Sequence, residues 1–296
     1  MDNSIGIFYT YYAFEQQVEW EKSIRRAALA GADCIEISAM RLVREPESVC
    51  DRILQTAREW GIALNFTSGL PEGCDSSSED ERERRRSVAF VEKNIKLVSK
   101  MGGQKLGAVF HGRNHPHENS FGKKERRLEW AAQSVNQMGR IAEDYGISLS
   151  DEAVNRFESD MINTVDEELA FLERVDCPSV KALLDTFHMN IEEDDLTAAI
   201  SRAGKQIGHV HLSENNRKLP GNGHLEWPAI LNALSEAQYT GLLTMESFTT
   251  PYPAISDSMC IWRNMAKTGM DEDVREAVMF LKTQMKRVEI GPKGKI

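Results

Sequence analysis

ISLSDE (147–152), VKALLD (180–185), IGHVHL (207–212) and GLLTME (241–246) are four short apolar runs, and each carries at or next to its end a side chain able to ionise or to hold a metal: Glu152, Asp185, His211 and Glu246. Each run is followed by a polar loop and then a helical pattern, so each reads as a β-strand entering a βα unit. Working outward, SIGIFYT (4–10), DCIEIS (33–38), IALNFT (62–67) and QKLGAVF (104–110) supply four more strands. Amphipathic helical stretches lie between and after them, near 16–30, 46–60, 78–102, 123–145, 165–174, 192–204, 227–237 and 271–288. Eight strands alternating strictly with eight helices is the count of a single (β/α)8 TIM barrel, here one α/β catalytic domain over 1–296. A doubly wound sheet is the rival, but it usually carries a Gly-rich turn after its first strand. The turn here, YTYYAFEQQ (9–17), has no glycine.

Local signals agree with the helix assignments. Gly31 after RRAALA and Gly146 after IAEDY stand at helix C-cap positions, and Gly102–Gly103 close the long third helix. Ser76, Ser77 and Ser78 precede an acidic run and are expected to cap its N-terminus. SEDERERRRS (78–87) alternates in sign and reads as a solvated helix face laced with i,i+4 pairs.

Composition excludes several function classes. The chain has 296 residues, is 41% hydrophobic and carries a formal charge of −10. An acidic chain without a basic stripe is unsuited to nucleic acid or an anionic membrane surface. No apolar run approaches the roughly 20 residues that span a bilayer. The N-terminal MDNSIGIFYTYY lacks the regions of a signal peptide. Cys34, Cys50, Cys74, Cys177 and Cys260 are odd in number, scattered and free of CxxC spacing, as reduced thiols of a cytoplasmic protein are.

In a parallel barrel the strand C-termini converge on one face, where chemistry is done. Glu152, Asp185, His211 and Glu246 would meet there as three carboxylates and one imidazole. This hard, oxygen-rich set suits Mn²⁺ first, with Co²⁺ or Mg²⁺ as alternatives, better than a structural zinc. Two open coordination positions would accept the neighbouring oxygens of an α-hydroxy ketone; the metal would act as a Lewis acid, and glutamate oxygens left free would move protons. His209 and His211 are two apart, so they share one side of the sheet, with His209 one layer deeper. Asp185 has a rival role as a helix cap, against which the next helix is expected to begin later, near Glu192. His188 lies within reach of anything held at Asp185, and Arg217, in the Pro/Gly-shaped loop NNRKLPGNGHLEW (215–227), is placed to reach back over the mouth. Glu158 follows Glu152 on the same loop, and Asp151 points to the helix layer, where it needs a hydrogen-bonding or cationic partner. His111, His115 and His117, after the fourth strand, read as a polar lid loop rather than a second metal site. Phe8, Tyr9, Tyr11 and Trp262 are candidate apolar walls.

EAVNRFESDMIN (152–163), LLDTFHMNIEED (183–194), GHVHLSENNRKLPGNGHLEW (208–227) and IWRNMA (261–266) resemble the ketose 3-epimerase family, which includes D-tagatose, D-psicose and L-ribulose 3-epimerases, in the xylose-isomerase-like barrel superfamily. The resemblance runs over nearly the whole chain and is strongest from about 145 to 265. It implies that Glu152, Asp185, His211 and Glu246 bind one divalent ion, that Glu152 and Glu246 are the two acid/base groups, and that Glu158, His188 and Arg217 hold substrate. The implied reaction is chelation of a free ketose through O2 and O3, removal of the C3 proton by one glutamate to give a cis-enediolate, and reprotonation by the other on the opposite face. It also implies a homodimer or homotetramer. Three departures mark this chain. FHGRNHP (110–116) has His115 where the family has Trp, Ser247 replaces a Pro in MESF (245–248), and Asp151 stands where an apolar residue is usual. They bear on the distal end of the sugar and keep a second reading open: a related sugar isomerase, or a C-glycoside lyase acting on a 3-keto glycoside with the same metal and enediolate chemistry.

Overall fold

The structure, a computed structural model, describes residues 1–13, 18–113, 122–252, 256–257 and 259–290. Eight parallel strands close into a barrel in chain order: β1 (Ile5–Phe8), β2 (Cys34–Ser38), β3 (Ala63–Thr67), β4 (Lys105–Ala108), β5 (Ser148–Glu152), β6 (Val180–Asp185), β7 (Ile207–Leu212) and β8 (Leu243–Met245). β8 pairs with β1 through Ile5↔Leu243, Gly6↔Thr244 and Ile7↔Met245, which closes the ring. The strands are short and covered on both faces, which is why they read as compact apolar runs without clean alternation.

Helices α1 (Trp20–Leu29), α2 (Ala39–Leu42), α3 (Glu47–Trp60), α4 (Glu81–Lys100), α5 (Lys124–Asp144), α6 (Val165–Val175), α7 (Thr186–Glu192), α8 (Leu196–Ala203), α9 (Trp227–Glu236) and α10 (Met270–Ile290) surround it. α5 shows how they attach: Leu128, Ala131, Ala132, Val135, Met138, Gly139 and Ala142 lie on one buried face at helical spacing. A fully buried Val, Leu or Met of this kind contributes about 1.5–3 kcal/mol. Gly31 and Gly146 follow their helices with φ of +85° and +66°, the left-handed backbone that a C-terminal stop requires.

Two local expectations are corrected. α4 is capped by Asp80, whose carboxylate accepts from the Arg82 amide at 2.8 Å. Ser76 and Ser77 are instead buried, bonded to Ser87 and Asp75. The helix after β6 starts at once, at Thr186, not near Glu192. On the α4 surface Glu81 pairs with Arg85 at 2.6 Å, as the alternating charges suggested; so exposed a pair adds little stability.

Candidate metal and catalytic site

Glu152 ends β5, Asp185 ends β6, His211 sits one residue from the end of β7, and Glu246 follows β8. Parallel register aligns them: Asp185 pairs with His211, and the Glu246 amide donates to Leu212 O at 3.0 Å. One ligand atom from each of the four lies within 4.8 Å of the others. His211 Nδ1 is 3.3 Å from Glu246 Oε2 and 3.7 Å from Glu152 Oε1. Both His211 Nδ1 and Glu152 Oε1 are buried without a hydrogen-bond partner among the described residues. Buried polar atoms are rarely left so. A divalent cation fits these donors: it would satisfy both atoms and neutralise the acidic cluster.

Glu36, on β2, is bonded to four side chains at the base of this site, and sequence reasoning did not find it. It is fully buried, and its carboxylate meets His209 Nε2 at 2.7 Å and His211 Nε2 at 3.1 Å; it accepts from Asn65 Nδ2 at 2.9 Å and Thr244 Oγ1 at 2.8 Å. β2 and β7 are not neighbours in the ring, so this contact crosses the barrel interior. With Nε2–H given to Glu36, His211 Nδ1 points at Glu152 and Glu246, and a bound cation would take the place of its proton. A carboxylate behind a ligating imidazole fixes tautomer and orientation in this way. The signal in the sequence was a single acid inside an otherwise apolar strand, CIEIS.

The electrostatics separate the two glutamates. Burial, with the Glu246 and Asp185 charges nearby, pushes the Glu152 carboxyl up to about 8. Burial also opposes ionisation of Glu246, yet His211 and Arg217 hold it down at about 2. Desolvation works against charge on both Glu36 and His211, but each holds the other ionised: Glu36 lies well below and His211 well above its ordinary range.

Arg217 does more than reach over the mouth; it is buried in the site. Nη1 donates to Asp185 Oδ2 at 2.7 Å and lies 3.4 Å from Glu246 Oε2, and Nη2 lies 3.1 Å from His188 Nε2. The guanidinium stacks 4.1 Å above the Phe187 ring. Its backbone is left-handed (φ +60°), a strained state costing about 1–3 kcal/mol that the surroundings must impose. They do so through the Arg217 amide on Glu214 O and the Phe248 amide on Arg217 O. Glu214, itself buried, accepts from Gly221 N, Leu225 N and Trp227 Nε1, and so shapes the loop. Ser247 donates to Lys218 O at 3.0 Å and ties the same loop to the end of β8.

Asp185 serves both of the roles weighed for it. Oδ1 caps α7 by accepting from Phe187 N at 2.7 Å, while Oδ2 faces Arg217. His188 Nδ1 accepts from the backbone N–H of Asn155 at 3.2 Å and lies 2.7 Å from its side-chain amide, while Nε2 faces the Arg217 guanidinium. Burial and the Arg217 charge depress His188 to about 3, keeping it neutral. Glu158 accepts from Asn155 Nδ2 at 2.8 Å and sits 3.8 Å from His188, at the same rim. Phe8 meets His211 edge-on, with ring centroids 5.8 Å apart.

Other expectations divide. Asp151 does face the helix layer and finds its partner in His111, at 3.0 Å. His111 is therefore no part of a polar lid: it is fully buried. His115 and His117 lie outside the described residues. Trp262 is 68% exposed and lines no wall of this site, whereas Tyr9 and Tyr11 are buried. A cleft of about 990 Å³ opens on the rim of β2–β4, bordered by Met40, Ser68, Arg113 and Trp130, and none of the four candidate ligands lines it.

Comparison with known proteins agrees with this geometry. A family model described as xylose isomerase-like TIM barrel matches residues 24–284. A D-psicose 3-epimerase of Agrobacterium fabrum is 34% identical over 93% of this chain and 96% of its own length. An L-ribulose 3-epimerase of Methylomonas sp. is 31% identical over 88% of this chain and 90% of its own. A crystal structure of a D-psicose 3-epimerase in the presence of D-fructose superposes with a TM-score of 0.91 at 33% identity, covering 95% of this chain and 99% of that one.

Proposed function

Because this chain belongs to the xylose isomerase-like TIM barrel family, and within it to the ketose 3-epimerases, we propose that it is a metal-dependent epimerase of free ketoses at C3. The observation that carries this reading is the convergence of Glu152, Asp185, His211 and Glu246, with His211 Nδ1 and Glu152 Oε1 buried and unpartnered. These four residues would hold one divalent ion, Mn²⁺ first and Co²⁺ or Mg²⁺ as alternatives. When bound, it supplies Lewis acidity that makes the C–H beside the ketose carbonyl more acidic.

The chain's own groups do the rest. Glu152 and Glu246 are the acid/base pair, one taking the C3 proton to leave an enediolate and the other returning a proton to the opposite face. Their environments push their proton affinities apart, as two carboxyls with different roles require. His188 and the Arg217 guanidinium hold sugar oxygens. Glu158 accepts from a hydroxyl, and Phe8 supplies an apolar wall against the ring or chain. His115 is assigned to the distal end of the substrate on the resemblance alone. Reduced thiols, a cytoplasmic location and a homodimer or homotetramer complete the reading. All five cysteines are free, and no described helix is long and apolar enough to cross a membrane.

One relative favours a second reading, a lyase or isomerase taking a bulkier 3-keto glycoside. A 3-dehydro-D-guloside 4-epimerase of Escherichia coli is 27% identical over 73% of this chain. Incubating Mn²⁺-loaded protein with D-psicose, D-tagatose, L-ribulose and 3-keto-glucosides separates the two. C3 epimers of the free ketoses support the first reading; turnover of the glycosides alone replaces it with the second.

A further inference from the structure

Behind β5, on the face opposite Glu152, lies a second cluster that the reaction does not use. His111 follows β4, Asp151 is on β5 and Glu168 on α6, and all three are fully buried. Asp151 Oδ1 accepts from the amides of Phe110 and His111 at 2.5 and 3.2 Å, and its Oδ2 meets His111 Nδ1 at 3.0 Å. The Phe171 ring of α6 packs edge-on against His111, with centroids 6.0 Å apart. His111 Nε2 and both oxygens of Glu168 are buried with no hydrogen-bond partner among the described residues. A carboxylate cannot stay bare in such a place; either a proton or a cation must meet it.

We propose that His111, Asp151 and Glu168 bind a second divalent transition-metal ion, between the barrel wall and α6. One ligand atom from each of the three lies within 4.8 Å of the other two. Ligands about 2.0–2.2 Å from a shared ion stand at most about 4.4 Å apart, so side-chain shifts of a few tenths of an ångström close the site. His111 Nδ1 and Asp151 Oδ2, 3.0 Å apart, stand as neighbouring ligands on one ion do; the ion would take the place of the proton between them, and the bare Glu168 carboxylate would complete the set. An imidazole with two carboxylates suits Zn²⁺, Mn²⁺ or Fe²⁺. The ion would tie α6 to β4 and β5 and fix the residue next to Glu152. All three residues lie outside the Glu152, Asp185, His211 and Glu246 cluster, so this site is separate from the one proposed for the reaction.

The test compares metal content of wild-type protein and Glu168→Gln, both expressed with Mn²⁺ and Zn²⁺ in the medium, by mass spectrometry. The variant is expected to carry one equivalent less per chain. The site at Glu152 counts equally in both, so the difference does not depend on the catalytic reading. Equal metal content in the two proteins would mean that a proton alone meets Glu168, and would overturn the proposal. Should the variant not fold, anomalous scattering from wild-type crystals at the Mn and Zn edges decides: a peak bounded by the three side chains is expected, and its absence refutes the site.

Discussion

Replacing Glu36 with Gln removes one charge at nearly constant volume from the centre of the barrel. Glu36 accepts from Asn65 and Thr244 and meets both His209 and His211, so an amide cannot serve all four; its NH₂ end faces groups that are themselves donors. The orientation of His211 is then no longer fixed, and its Nδ1 is less firmly aimed at Glu152 and Glu246. Loss of a carboxylate behind a metal-binding histidine costs on the order of 10–100-fold in metal affinity, about 1.4–2.7 kcal/mol. Leaving a buried donor unsatisfied costs a further 1–3 kcal/mol or so in fold stability. Mn²⁺ titration followed by electron paramagnetic resonance reads the first number, and denaturant unfolding of metal-free protein reads the second. A Glu36→Gln protein that binds Mn²⁺ as tightly as wild type would refute the claim that Glu36 positions His211.

The remaining predictions concern the rim. Glu246→Gln should weaken metal binding and, at saturating metal, still lose C3 exchange by at least about 10²-fold; turnover near wild type at saturating metal would remove Glu246 from proton transfer. Arg217→Ala should raise KM, and, because Arg217 counters the buried Asp185 and Glu246, lower the stability of the metal-free protein by about 3–5 kcal/mol; an unchanged KM and unfolding midpoint would contradict its placement. The Glu152 carboxyl, raised to about 8 in the metal-free chain, binds a proton that competes with metal. Metal affinity should therefore climb as pH rises from about 5 toward 8, by up to tenfold per unit, and level off above it. The same raised value means that stability from protonated Glu152 is lost over that window in the metal-free protein. Calorimetry in buffers of different ionisation enthalpy should find at least one proton released per ion near pH 7, from Glu152 and His211, and none released would contradict the assignment.

The barrel was legible because its strands are short apolar runs punctuated by helices. Val180–Asp185 and Ile207–Leu212 match the runs read from sequence end to end. The four rim residues were legible because a polar side chain at a strand's end is conspicuous against an apolar run. Glu36 was not, since its partners lie 173 and 175 residues away and only barrel closure brings them together. Asp185 misled on where the next helix starts because one carboxylate both caps α7 and faces Arg217, and a sequence reading weighs those roles as rivals. His111 looked like part of a polar loop because HGRNHPHENS is polar throughout; what buries it is Asp151, forty residues on.

The central claim is that this chain makes and breaks a C–H bond at C3 of a free ketose. Proton NMR in D₂O with Mg²⁺-loaded enzyme, against D-fructose, D-psicose, D-tagatose and L-ribulose, tests it without paramagnetic broadening. The account predicts deuterium entering at C3 as the C3 epimer accumulates, with both abolished by EDTA. No exchange at C3 in any of the four, with metal shown to be bound, would contradict it.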